Sequence, residues 1–172
     1  MTPDWPLYFR DNLTFGAPDH PAAVCCLWMK QARLRDTLSS DSYSILGNLY
    51  SNDGINYLLR NILAQPTVRA IILCGPDLTH SGAVFLQLVR AGVDAAHHIC
   101  NDPSLGSGQA ESAQIDREIP RDAIDDVRAH VRVLDLRGVH DPALIQRALT
   151  ELNAELPRGA FAAPRVFPRA AP

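Results

Sequence analysis

Lysine is all but missing from this chain of 172 residues. Of its 16 basic side chains Lys30 is the only lysine, and the arginines are dispersed among 19 Asp and Glu for a net charge of −3. No basic stripe or block exists, which removes the electrostatic footing for binding nucleic acid or an anionic membrane. Cysteine is scarce as well. Cys25, Cys26, Cys74 and Cys100 sit in or beside apolar runs, at spacings of neither a disulfide framework nor a zinc site. That usage reads as reduced core thiols in a cytoplasmic protein. No apolar run approaches the roughly 18 residues of a membrane span, and residues 1–21 lack the charged-then-apolar pattern of a secretory signal. Several catalytic signatures are also missing. No G-x-G-x-x-G, no G-x-x-x-x-G-K-[ST], no H-E-x-x-H and no G-x-S-x-G occurs, so nucleotide, zinc-protease and α/β-hydrolase chemistry have no local warrant.

What is present is globular: 47% of residues are apolar and 20% charged, enough to bury the core of one ordinary domain. Residues 1–20 carry no periodicity and read as an N-terminal arm. Short apolar runs at 22–28, 43–46 and 68–74, the run His97-His98-Ile99-Cys100, and the alternating stretch 131–136 predict about five strands. Between them lie helical patterns. Ile55, Leu58, Leu59 and Ile62 share one face; Pro120 opens a helix over 121–130; Asp141-Pro142 caps another reaching about Leu156. Alternating strands and helices predict an α/β, Rossmann-like three-layer domain over residues 21–156 with a mainly parallel sheet. The Pro/Ala/Arg-rich stretch 157–172 reads as a tail, linker or disordered end. The segment 101–119, with Gly106 and Gly108, is a long loop of the kind that carries function or moves.

Two segments align with each other. Each places a glycine at a strand end and another seven positions on, at a helix start: Gly47 to Gly54 and Gly75 to Gly82. In a parallel sheet such loops gather at the carboxyl ends of the strands, where ligands bind. The first holds Asn48 and Ser51 and is readable either as an anion cradle at a helix N-terminus or as a plain capped turn. The second, Gly75-Pro76-Asp77-Leu78-Thr79-His80-Ser81-Gly82, places a histidine just before a helix. That imidazole suits metal ligation, hydrogen bonding or proton transfer, or it is an idle surface residue. Asp77 is its partner or a helix cap. His97, His98 and Cys100 look like a metal cluster, yet adjacent strand residues face opposite ways.

The order of residues adds a resemblance. Trp5-Pro6-Leu7-Tyr8, Ile45-Leu46-Gly47-Asn48-Leu49-Tyr50-Ser51, Ile72-Leu73-Cys74-Gly75-Pro76-Asp77, Ser81-Gly82, Ala91-Gly92-Val93-Asp94 and Val133-Leu134-Asp135-Leu136-Arg137-Gly138 follow in sequence. Over residues 5–156 this resembles the soluble domain of the A subunit of tetrahydromethanopterin S-methyltransferase. It is closer still to the related domain at the N-terminus of some thymidylate synthase-like proteins. The resemblance implies a cobamide cofactor whose cobalt carries a methyl group from a pterin towards a thiol. It implies His80 as the cobalt ligand, with Gly47, Asn48, Ser51, Gly54, Gly75, Asp77, Thr79, Ser81 and Gly82 around the cofactor. The chain would then be a methyltransferase component served by a partner methyltransferase or a thymidylate synthase-like enzyme. The alternative is a non-catalytic accessory or ligand-sensing domain beside such a pyrimidine-modifying enzyme.

Overall fold

The computed structural model describes residues 4–106 and 109–170; Gly108, noted above, lies outside the described residues. Among the described residues five strands form one sheet: β1 (Thr14–Phe15), β2 (Ala22–Cys25), β3 (Ile45–Gly47), β4 (Ala70–Gly75) and β5 (Arg132–Arg137). Their order is β1-β3-β2-β4-β5, with β3, β2, β4 and β5 parallel and β1 antiparallel on the edge. Among the described residues five α-helices accompany it: α1 (Gln31–Arg35), α2 (Gly54–Ala64), α3 (Ser81–Ala91), α4 (Arg121–His130) and α5 (Pro142–Glu155). The three-layer α/β architecture expected from the pattern is therefore the one found.

Alternation along the strands builds both faces. Ala23, Cys25, Ile71 and Leu73 point to one side, against apolar residues of α2, α3 and α4. Val24, Cys26, Ile72 and Cys74 point to the other, against Leu34 of α1 and Ile145, Leu149 and Leu152 of α5. All six residues of β4 are buried, as a strand covered on both faces requires. From β2 the chain moves outward to β3, then crosses back over β2 to β4. With right-handed crossovers that reversal puts α1 and α2 on opposite faces. The crevice between the carboxyl ends of β2 and β4 is the switch point, the place such sheets offer a ligand.

One expectation needs correcting. The fifth strand is not 97–100 but Thr14–Phe15, which pairs with Leu46 and Ile45 at the edge. Residues 93–100 make only single bridges, Val93 with Ile99 and His98 with Gln114. The Asp94 carboxylate accepts from the N–H groups of Ala96 (2.8 Å) and His98 (2.9 Å), and His97 sits at φ 67°. A tight Asx-type turn thus stops extension, and β4 pairs directly with β5 over six residues, leaving no slot between them.

The stretch 157–170, read above as a tail, linker or disordered end, is bonded to the domain at several points. The N–H groups of Phe161 and Arg165 donate to the carbonyls of Pro66 and Leu63. Arg165 bridges Asp122 and Asp126 of α4 at 2.8 and 2.5 Å, and Arg169 reaches Asp53 at 2.7 Å. Beneath this strap lies Arg60, a fully buried arginine of α2. It donates to the Phe167 carbonyl (2.7 Å), the Asn56 carbonyl (3.3 Å) and Asp116 (2.7 Å). A charge so buried persists only with partners, and the tail supplies one of them.

Candidate functional site at the carboxyl ends of the strands

The loops after β2, β3 and β4 are knitted to one another by side chains. The Gly47 carbonyl accepts from the N–H and the thiol of Cys26, at 2.8 and 3.2 Å. The Asn48 amide nitrogen reaches the carbonyls of Leu27 (2.7 Å) and Met29 (2.8 Å), and its oxygen accepts from Gln31 (2.8 Å). Asn48 is therefore a staple between loops, its donors already committed. The arm closes over Gly47: a Cβ there would lie 2.4 Å from Leu13 Cδ2, so a larger residue would push that side chain aside. Gly54 opens α2, and its N–H lies 3.3 Å from Ser51 Oγ, the bond of a capped turn.

The second loop departs from β4 at Gly75, whose φ of +77° and 2.8 Å approach to the Cys26 carbonyl suit glycine alone. Asp77 then folds back onto α3. Its two carboxylate oxygens accept from the N–H groups of Gly82 (3.0 Å) and Ala83 (2.8 Å), and Arg137 flanks it at 3.5 Å. Of the two roles open to Asp77, the structure shows the cap. With a carboxylate on those donors, the start of α3 is closed to an anionic ligand. Ser81 is buried and donates to the Leu49 carbonyl (2.8 Å), and Gly82 packs against Leu27, which a Cβ would approach to 3.0 Å.

His80 stands at the tip between these anchors. It is exposed, in the left-handed conformation (φ 59°), and its imidazole makes no hydrogen bond among the described residues. Thr79 beside it accepts from the Trp28 indole N–H (3.2 Å) and donates to the Tyr50 carbonyl (2.9 Å). Trp28 and Tyr50 meet edge to face at 4.8 Å, and both are well exposed, as is Leu78. The sequence reading missed Trp28, Tyr50 and Gln31. An aromatic directly after a strand, and another between the paired glycines, was the available signal. The predicted residues thus fall in two groups: Gly75, Asp77, Thr79, His80, Ser81 and Gly82 in the loop before α3, and Gly47, Asn48, Ser51 and Gly54 beside a cavity under the arm.

His97, His98 and Cys100 do not converge. His98 pairs with Asp94 (3.5 Å) and Cys100 is half-buried. Among the described residues no group of three or more His, Cys, Asp or Glu gathers around one point. Burial pushes the thiols of Cys25 and Cys26 up to about 12 and raises that of Cys74 as well, so these three stay protonated and unreactive at neutral pH.

Comparison with known proteins defines the class to which this fold and its loops belong. The family model that describes the A subunit of tetrahydromethanopterin S-methyltransferase matches residues 1–167, and the chain belongs to that family. It is 26% identical over 151 residues to the second form of this A subunit in Methanothermobacter marburgensis, an alignment covering 86% of this chain and 76% of that protein. To the first form in Methanobrevibacter ruminantium it is 25% identical over 161 residues, 92% of this chain and 61% of the relative. No helix among the described residues is long and apolar enough to cross a membrane.

Proposed function

We propose that the chain is a cobamide-binding methyl-carrier domain that acts with partner enzymes in one-carbon transfer, with His80 as the protein ligand to cobalt. One observation carries the reading beyond family membership: an exposed histidine whose ring makes no hydrogen bond among the described residues, at the switch-point end of the sheet. A metal held by protein alone needs several converging ligands. A metal already held in a macrocycle would ask the protein for a single ligand, which the lone imidazole of His80 would supply. The donor set therefore fits a corrinoid better than a caged ion. The exposed edge-to-face pair Trp28 and Tyr50, with Leu78, offers an apolar surface beside the imidazole.

A bound cobamide supplies a cobalt centre able to take up and hand on a methyl group. The chain's own part is to bind and orient. Thr79, Ser81 and Asp77 hold the tip residue by bonds to the neighbouring loop and to α3. Asp77 is committed to the N–H groups of Gly82 and Ala83, and the donor and acceptor chemistry is assigned to partner methyltransferases.

The test is the visible absorption spectrum of protein incubated with hydroxocobalamin and desalted, beside His80→Ala. Retained corrinoid with a spectrum that shifts in the variant is the expected result. Absence of retained corrinoid at high protein concentration overturns the reading. It would leave an accessory domain beside a thymidylate synthase-like enzyme, to be sought by co-purification.

A further inference from the structure

A cavity of about 480 Å³ opens between the N-terminal arm and the sheet, within the roughly 300–1,000 Å³ of small-molecule sites. Its floor is made by Ala23 and Cys25 of β2 and Ile71 of β4, its side by Leu58 and Ile62 of α2. Trp5 and Leu13 of the arm roof it. His80 is not among its walls, so it is distinct from the tip described above.

Three features define its chemistry. First, among the described residues no Asp, Glu, Lys, Arg or His lines it, so it has nothing to neutralise a charged guest, whose desolvation would go unrepaid. Second, the polar side chains of Gln31, Asn48 and Asn61 in its walls are already paired, while Asn12 and Tyr50 stand exposed at its mouth. Gln31 donates to the Asn12 carbonyl (2.7 Å) and to Asn48 (2.8 Å), and accepts from Thr14 (2.9 Å). An apolar guest therefore strips no donor of a partner. Third, the roof is held off the sheet by directional bonds. The Trp5 indole donates to the Asn61 carbonyl (2.8 Å), and the Tyr8 backbone exchanges two bonds with the Asn61 amide (3.0 and 3.1 Å). Packed interiors do not keep apolar space of this size without an occupant or an opening. The opening is at the strand end, where the lining residues Phe9, Asn12, Tyr50 and Ser51 are exposed.

We propose that this cavity binds a neutral, mainly apolar small molecule, entering at the mouth beside Tyr50. The cavity shares Gly47, Asn48, Ser51 and Gly54 with the residues expected around a cobamide, and the absence of His80 from its walls is what separates the two sites.

The probe is 1-aminoanthracene, uncharged at neutral pH and fluorescent in apolar surroundings, titrated into the full chain. Saturable one-site enhancement is expected. In Trp28→Phe, which leaves Trp5 as the only tryptophan, the probe should quench the remaining indole emission. Leu58→Trp fills the cavity from α2 and Leu13→Trp fills it from the arm, outside the core. Each should weaken binding at least tenfold with an unchanged circular dichroism spectrum. Leu144→Trp on exposed α5 should bind as the parent does. The anionic 1-anilinonaphthalene-8-sulfonate should compete at least tenfold more weakly than a neutral analogue. Non-saturating enhancement, parent-like binding by the folded Leu13→Trp variant, or stronger competition by the anion would overturn the proposal.

Discussion

Arg60 is the position where a single substitution should cost the fold most. Its side chain is wholly enclosed by protein, with Asp116 at 2.7 Å and a carbonyl of the tail at 2.7 Å. Arg60→Met keeps much of the apolar stem and removes the guanidinium. The Asp116 carboxylate then loses its closest cation, and the Phe167 carbonyl loses its donor. Breaking a buried ion pair by deleting one partner costs about 3–5 kcal/mol. The low end applies here for two reasons. Asp116 keeps Arg169 at 3.3 Å, and Arg60 Nη2 has no hydrogen-bond partner, being only within 3.9 Å of Glu118, so its removal relieves a buried orphan. About 3 kcal/mol, or a fall of roughly 6–12 °C in Tm for a chain of this size, is the expected loss. Urea unfolding followed by circular dichroism measures it. A cycle with Asp116→Asn should return a coupling of at least about 1 kcal/mol. A loss below about 1 kcal/mol with an unchanged urea slope would refute the idea that the tail and α2 are joined through this charge.

Three further outcomes are expected. Asp77→Ala removes both bonds to the start of α3 and should cost about 1–2 kcal/mol in urea unfolding, with faster amide exchange at Gly82 and Ala83; protection equal to the parent would sink the capping role. The side-chain bond from Arg137 holds the Asp135 carboxyl below the usual carboxylate range. Its stabilisation is thus complete above about pH 4 and lost as the pH falls through the lower folded value. Arg137→Met should flatten that acid decline of Tm, and an unaltered profile between about pH 2 and 5 would count against it. With Cys25, Cys26 and Cys74 buried and protonated, a thiol reagent at pH 8 should label Cys100 alone in native protein and all four cysteines in denaturant; prompt labelling of a second thiol would contradict that burial.

Much of the architecture was legible in local pattern. The runs around 22–25 and 70–75 are apolar because both faces of the sheet are covered there, while 132–137 mixes half-buried apolar residues with exposed Arg132, Asp135 and Arg137 at the sheet edge; those demands are written residue by residue. The glycine pairs marked the two strand-end loops: Gly75 needs a positive φ, and the arm closes over Gly47. Thr14–Phe15 escaped notice because two residues carry no period. The run 97–100 misled because its apolar residues suit a strand, while the Asp94 carboxylate that prevents one acts through hydrogen bonds.

By itself, then, the order of amino acids determined the layer class, the parallel core strands and the loop that carries His80, since burial and turn geometry act within a few residues. Only the tertiary structure decided that Asn48 is a staple and Asp77 a cap. It likewise decided that the arm roofs a neutral cavity and that the tail is clasped through Arg60 and Arg169. Each of these depends on groups far apart in the chain meeting at hydrogen-bond distance, and no local pattern of apolar and polar residues records which distant carbonyl or carboxylate will be there.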